Sequence, residues 1–170
     1  MVDILLLQTV SIVIASAGMF LAAVYYILQI KHQTKLRETD LVIRLFSMLT
    51  DKEFRRDYSR VRHCEFEDYD DFVKRYGSLF DWGQTDGELE LRDSFGQMLN
   101  TGELLGFLLK RKVADADFLY ETFPALGLWE KVRPIVEGER RKHSIPRMFE
   151  YFEYYYNEMR RIEQRRDRNG

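Results

Sequence analysis

The feature that most constrains this chain is an uncharged, mostly apolar run near its N-terminus, from Ile4 to Ile30. A helix that crosses the hydrocarbon core of a bilayer needs about 20 consecutive apolar residues. The run is long enough for this, and Tyr25 and Tyr26 stand near its end, where interfacial aromatic residues are common. We therefore predict that residues 1–30 form a transmembrane helix.

Charged residues on either side of this run predict its orientation. Lys31, Lys35 and Arg37 follow it, whereas Asp3 is the charged side chain that precedes it. Segments rich in Lys and Arg stay on the cytoplasmic side of a membrane. We expect a single-pass protein of the cell (inner or plasma) membrane, with the N-terminus outside and the C-terminal domain cytoplasmic. A cleaved signal peptide is the alternative, because Ala15-Ser16-Ala17 imitates a cleavage site. Such a peptide would begin with a basic region, however, and the apolar run continues thirteen residues past Ala17.

Four small residues of the predicted membrane helix share one face, because they are spaced three or four positions apart. They are Ser11, Ala15, Gly18 and Ala22. Small side chains let two helices approach closely within lipid. The pattern predicts a helix–helix interface and a parallel homodimer, although the same face could meet a different membrane protein.

Beyond the membrane segment, apolar residues recur at the three- and four-residue spacing of α-helices. Thr50 followed by Glu53 matches a capping box, and Thr85 followed by Glu88 repeats it. The sequence therefore predicts an all-α protein, in which one N-terminal transmembrane helix is followed by a cytoplasmic helical bundle. Its predicted parts are a membrane helix (1–30), a juxtamembrane helix (31–50), a helical domain (51–162) and a charged tail that frays (163–170).

Within the helical domain, helices are predicted over 51–64, 68–80, 88–112, 126–138 and 145–162, with a short helix ending near Phe123. Glycines in the helix over 88–112 indicate close helix packing or a break near Gly102, and Pro134 implies a kink or an early stop. The core is predicted to include Leu105, Leu128, Trp129, Phe149 and Phe152.

The composition of the chain offers little for catalysis or metal binding. One cysteine cannot form an intramolecular disulfide or a thiolate zinc site, and the three histidines are not at metal-ligand spacing. Glycine-rich phosphate loops and serine nucleophile elbows are also missing from the sequence. We expect neither a metal ion nor a cofactor.

Arg56 and His63 are seven positions apart and fall on one face of a predicted helix. An Arg followed closely by a His resembles the active-site pattern of the HEPN (higher eukaryote and prokaryote nucleotide-binding) ribonucleases. The resemblance implies that these two residues act on RNA phosphate. The pattern is short, however, and it stands earlier in the domain than in that family.

A longer stretch is similar to another family. It comprises 100–112, the segment Leu128-Trp129-Glu130-Lys131-Val132-Arg133-Pro134, and Arg140-Arg141. Together with the N-terminal apolar run, it resembles the domain-of-unknown-function 4760 family of bacterial and archaeal proteins. The resemblance implies an N-terminal membrane anchor and a helical cytoplasmic region, but no activity or catalytic residues.

These observations favour a membrane-tethered interaction or scaffold module without enzymatic activity. The alternative is a membrane-anchored, HEPN-like ribonuclease that uses Arg56 and His63. The expected partners are the lipid bilayer, a second copy of the chain through the membrane helix, and an unidentified protein. Nucleic acid is not an expected partner.

Overall fold

The computed structural model describes residues 4–80 and 86–169, and across these residues it contains helices and no strand. The helices are α1 (Ile4–Thr50), α2 (Lys52–His63), α3 (Tyr69–Tyr76), α4 (Asp86–Lys110), α5 (Ala116–Thr122), α6 (Ala125–His143) and α7 (Glu150–Asn169). Two compact units make up the chain, Met1–Ile43 and Arg44–Gly170. The all-α prediction is confirmed.

The first unit holds the greater part of α1 and includes an apolar stretch suited to a bilayer. The most apolar window of Val10–Gln33 has a mean hydropathy of 2.1, and none of that window is buried inside the protein. The helix continues through Gly18, where an added β-carbon would meet nothing within 4 Å. The described part of the chain thus has one helix that is long and apolar enough to cross a membrane.

The boundary between α1 and α2 lies one residue later than the capping pattern predicts. The Thr50 hydroxyl donates to the Phe46 carbonyl at 2.8 Å, so Thr50 belongs to the last turn of α1. Asp51 is the N-cap of α2, and its carboxylate accepts the Glu53 N–H at 2.8 Å. Either side chain can cap a helix, but Thr50 is already helical. The second predicted cap, Thr85 with Glu88, lies outside the described residues and side chains.

The helix predicted over 68–80 is shorter in the structure, because α3 ends at Tyr76. Asp68 is its N-cap and accepts the Asp71 N–H at 2.9 Å. Gly77 follows with a φ of 78°, a left-handed conformation that glycine adopts without strain. Helix α3 therefore stops before this glycine, and its last residue, Tyr76, lies four positions before the predicted end.

Helices α4 and α7 form the most extensive helix pair in the described chain. Two glycines on α4 permit it, because a methyl group on Gly102 would overlap the Phe152 ring, and one on Gly106 would overlap the Tyr151 carbonyl. Helix α4 runs unbroken through the Asn100 region. Of the two possibilities raised by its glycines, the structure therefore has close packing rather than a break.

Helix α6 continues past Pro134 to His143, so the predicted early stop does not occur. A proline inside a helix costs about 3 kcal/mol, mainly through one lost hydrogen bond and a local clash. Val132, Ile135 and Val136 are each fully buried on either side of it. Burial of each such side chain contributes about 1.5–3 kcal/mol, which offsets that cost.

The core of the second unit is rich in aromatic side chains from α6 and α7. Trp129 meets Phe152 edge to face, with ring centroids 5.0 Å apart, and the Tyr155 hydroxyl donates to the Leu119 carbonyl at 2.9 Å. Leu105 and Leu128 are also buried. Of the residues expected in the core, Leu105, Leu128, Trp129 and Phe152 therefore lie inside it.

Phe149 is the exception among those residues, since it is only half-buried. It has a φ of 55°, which ends the preceding turn, and α7 begins after it at Glu150 rather than near Ile145. The end of α6 accounts for this, because Ile145 donates its N–H back to the Arg140 carbonyl at 3.2 Å. Phe149 consequently stands before α7 instead of on its buried face.

The charged tail is helical in the structure, because α7 extends to Asn169. Arg166 forms an ion pair with Glu121 of α5, and its guanidinium lies 4.4 Å from the centre of the Tyr120 ring. The predicted fraying after residue 162 is therefore replaced, as far as Asn169, by a helix that Arg166 attaches to α5.

Candidate functional site

The residues of the ribonuclease hypothesis lie on α2, and both are exposed. His63 places its Nδ1 atom 2.8 Å from the Ser59 carbonyl of its own helix. In the part of the chain that the structure describes, no hydrogen bond or ion pair joins Arg56 to His63. Seven residues of α-helix rise about 10.5 Å, which separates the two positions along the axis.

A groove of 430 Å³ lies beside α2, between this helix and α6. Tyr58, Arg62, Gly127 and Lys131 are among the residues that line it, whereas Arg56 and His63 are not. A general base must reach the proton that it removes, and the bond from His63 Nδ1 to its own helix leaves Nε2 as the nitrogen that faces solvent. The groove therefore includes neither residue of the ribonuclease hypothesis.

Metal-binding clusters are also missing from the described residues, in which no group of three or more His, Cys, Asp or Glu side chains could hold an ion. Cys64 is buried, and burial raises the pKa of its thiol above 9.0, with the nearby Tyr76 hydroxyl partly opposing the shift. A buried thiol with a raised pKa is a poor nucleophile.

A cluster of polar side chains surrounds Glu139 of α6, which has no solvent exposure. Its carboxylate accepts the Ser78 hydroxyl at 2.7 Å and the Leu79 N–H at 2.9 Å. The His143 Nε2 atom lies 3.1 Å from the second carboxylate oxygen. Phe80 covers the histidine, with the two rings 5.4 Å apart.

Tyr69 closes this Glu139 cluster from α3. Its ring lies against Gly138, where a methyl group would overlap it. Burial, and secondarily the charge of Glu139, raises the pKa of Tyr69 above 10.0. The hydroxyl itself is buried without a hydrogen bond that meets normal geometry. The Tyr69 side chain is therefore uncharged and covers one side of the cluster.

The Glu139 cluster is suited to holding the fold rather than to catalysis. Its carboxylate is fully buried and is already bonded to donors from the α3–α4 connection and from α6. A general acid or base needs access to a reacting group. The arrangement instead fixes Ser78 and Leu79 against α6. Buried carboxylates of this kind are tolerated only when their hydrogen bonds are made.

The small residues that the sequence predicts as a helix–helix interface lie on α1 and not in the second unit. Ser11, Ala15, Gly18 and Ala22 are all exposed on α1, as are Tyr25 and Tyr26 near the end of the apolar stretch. Space beside Gly18 is open to 4 Å. This helix therefore offers an uncovered apolar surface that lipid or another helix can contact.

Sequence reasoning missed the Glu139 cluster. Glu139 stands in the run Gly138-Glu139-Arg140-Arg141, which has the composition of an exposed helix face. Its partner Ser78 is 61 residues away in the chain. The small residue at 138 was the one available signal, since glycine inside a helix is often a point of close approach.

Comparisons with known proteins agree with the sequence resemblance. A family model described as domain of unknown function (DUF4760) matches residues 12–159. Neither the curated proteins nor the solved structures contain a significant match to the chain. The matched range covers most of the apolar stretch of α1 and nearly all of the second unit. The chain therefore belongs to the DUF4760 family.

Proposed function

We propose that this protein is a membrane-tethered helical interaction module. The observation that carries the proposal is the uncovered apolar stretch Val10–Gln33, none of whose most apolar window is buried inside the protein. Its 24 residues correspond to about 36 Å of helix, enough for a hydrocarbon core of about 30 Å. Large side chains such as Phe20 and Leu21 are 70% and 67% exposed. In water such an apolar surface would cause aggregation, whereas in a bilayer the lipid chains cover it.

The proposed orientation places the N-terminus outside the cell and the second unit in the cytoplasm. Lys31 and Lys35 follow the apolar stretch and are exposed, whereas the sequence before it carries Asp3. Cationic residues next to a span are retained on the cytoplasmic side. The membrane is then the inner or plasma membrane of the cell.

A binding role for the second unit is supported by its chemistry. Its buried polar groups serve the fold, as at Glu139, and its candidate catalytic pair is exposed and separated along α2. The unit is a compact helical domain with a dense aromatic core. Domains of this kind present rigid helix faces to partner proteins.

The topology can be tested with single-cysteine variants. Cys64 is a poor reporter because it is buried, so it is replaced by serine and the exposed Asn157 by cysteine. A membrane-impermeant maleimide should label position 157 only after the cells are permeabilised. Labelling in intact cells would contradict the proposed orientation.

Membrane insertion is tested separately by extraction with alkaline carbonate. The wild-type chain should remain with the membranes. Ile14→Lys combined with Leu21→Lys should release it, because each charge at the centre of a span costs about 2.5–3.5 kcal/mol. The matched control, Ile14→Leu with Leu21→Ile, should stay inserted. Release of the wild-type chain would refute the tether.

A further inference from the structure

The end of α4 exposes apolar side chains that the fold leaves uncovered. Leu104, Phe107 and Val113 are 44%, 37% and 49% exposed, and all three lie within a stretch of ten residues. Isolated surface leucines and valines need no explanation, but a cluster that includes an aromatic ring is a recognised mark of an interaction site. We call the surface formed by Leu104, Phe107, Lys110, Arg111, Lys112 and Val113 the α4-end patch.

Three consecutive cations stand among these apolar groups. The Lys110 ammonium lies 4.9 Å from the centre of the Tyr151 ring, and the Arg111 guanidinium lies 5.4 Å from that of Phe107. The Phe107 and Tyr151 rings meet edge to face at 5.5 Å. Two of the three cations, Lys110 and Arg111, are therefore held beside aromatic rings.

The backbone at the end of α4 also fixes how the patch is presented. Lys112 has a φ of 56°, a position at which glycine is strongly preferred. The Lys112 N–H donates to Leu109 and the Val113 N–H donates to Leu108, each at 2.9 Å. In this type of helix end the residue at the place of Val113 usually packs back on the helix. Here it stays half-exposed.

Acidic groups near the patch are engaged elsewhere. Glu150, next to Lys110, is held by Arg147 at 2.6 and 2.7 Å. Glu103 turns inward and accepts the Phe152 N–H at 2.8 Å. Asp115 caps α5 through the Phe118 N–H at 2.9 Å. From residue 104 to residue 114 the sequence has three cations and no acid.

The helix dipole explains why cations stand at the end of α4, but it does not explain why apolar side chains are exposed there. Cations are favoured at the C-terminus of a helix, where backbone carbonyls carry partial negative charge. Exposed Leu, Phe and Val gain nothing from that effect. Cations interleaved with aromatic and aliphatic groups are what a protein presents to the headgroup region of an anionic membrane.

We propose that the α4-end patch docks on anionic phospholipid headgroups. This inference rests on the proposed membrane tether, which keeps the second unit close to a bilayer and so raises its effective concentration there. Phe107, Leu104 and Val113 enter the interfacial region, while Lys110, Arg111 and Lys112 bind the lipid phosphates. Each cation near an anionic surface increases the affinity roughly five-fold, so three contribute on the order of 100-fold.

The test uses the full-length chain in liposomes, with Cys64→Ser and an environment-sensitive fluorophore on Val113→Cys. Nitroxide-labelled lipid should quench this fluorophore in phosphatidylcholine containing 30% phosphatidylglycerol, and at least about threefold less in pure phosphatidylcholine. High salt should remove the difference, because it screens exposed charges. Equal quenching in the two lipid mixtures would overturn the proposal.

Charge variants separate the patch from a general effect of net charge. Lys110→Gln, Arg111→Gln and Lys112→Gln together should abolish the excess quenching. The matched control removes two lysines and one arginine from exposed positions elsewhere, as Lys52→Gln, Arg55→Gln and Lys74→Gln, and should retain it. Circular dichroism confirms that both variants are folded. Equal losses in the two variants would contradict a specific patch.

Two further outcomes are distinguishable. If the α4-end patch recognised an acidic protein instead, a polyglutamate peptide would bind the wild-type chain and not the patch variant. In both proteins, quenching would then be the same in anionic and in neutral liposomes. That outcome would overturn the lipid assignment. If the tether itself failed, alkaline carbonate would release the chain from the liposomes, and flotation with anionic vesicles would still report on the patch.

Discussion

Glu139 is a carboxylate with no contact with solvent and with donors on both oxygens. Glu139→Ala would leave the buried Ser78 hydroxyl and the half-buried Leu79 N–H without their acceptor. We expect a loss of about 3 kcal/mol in the free energy of unfolding. The measurement is urea unfolding of the full chain in detergent, followed by circular dichroism.

The control for that experiment is Glu137→Ala on the same helix. Glu137 has a side chain 47% exposed and pairs with Arg133 at 3.0 Å. An exposed pair of this kind contributes about 0.5 kcal/mol. Equal effects of the two substitutions would mean that the Glu139 hydrogen bonds do not hold the α3–α4 connection.

Glu103 gives a prediction for pH dependence. Burial raises the pKa of Glu103 above 4.5, although the N–H groups of Phe152 and Tyr151 oppose the shift. A raised folded-state pKa means that stability is fully present below 4.5 and is lost as the pH rises through the folded value. Glu103→Gln, which keeps an acceptor for Phe152, should therefore be more stable than wild type at pH 7.

That advantage should shrink as the pH is lowered toward the ordinary value of a glutamate, since the wild-type carboxyl is then neutral too. Thermal unfolding of both proteins between about pH 4 and 7 measures the difference, which isolates Glu103 from the other carboxyls. A constant difference across this range would show that the charge of Glu103 is not responsible.

Among the helices, the α4–α7 pair requires glycine at position 106 but not at position 96. Gly106→Ala would press a methyl group into the Tyr151 carbonyl, whereas a methyl group on Gly96 of the same helix would meet nothing within 4 Å. We expect Gly106→Ala to destabilise the protein by about 2–3 kcal/mol through backbone displacement. Gly96→Ala should stabilise it by about 0.5–1 kcal/mol through helix propensity. Chemical unfolding compares them, and similar effects would contradict the close packing.

Helical periodicity predicted the existence of the elements of the second unit well, because each of those helices buries apolar side chains on one face. It did not predict their ends reliably. Thr50 and Asp51 can both cap a helix, and the sequence pattern did not show that Thr50 belongs to the last turn of α1. Phe149 follows the apolar spacing of α7 but precedes the helix. The Glu139 cluster depends on two distant segments, which no local pattern connects.

At the scale of the whole molecule, the exposed small residues of α1 predict self-association. Leucine at Gly18 and Ala22 would hold two helices apart, so Gly18→Leu with Ala22→Leu should weaken dimerisation in a membrane two-hybrid assay. Val13→Leu with Phe20→Leu is the control, because those positions lie on the opposite face of the helix. Unchanged association of the first variant would exclude the small-residue face as the interface.

The pairing of α4 with α7 also has a consequence for biosynthesis. Phe152, Tyr155 and Met159 of α7 are fully or almost fully buried, yet they are translated after every other helix of the second unit. Until they emerge from the ribosome, the part of α4 that packs against α7, around Gly102 and Gly106, has no partner. If the N-terminal segment is inserted first, the unfinished domain lies next to the membrane while this part of α4 is still exposed. Chains interrupted before α7 should therefore be substrates for chaperones and proteases rather than partly working proteins.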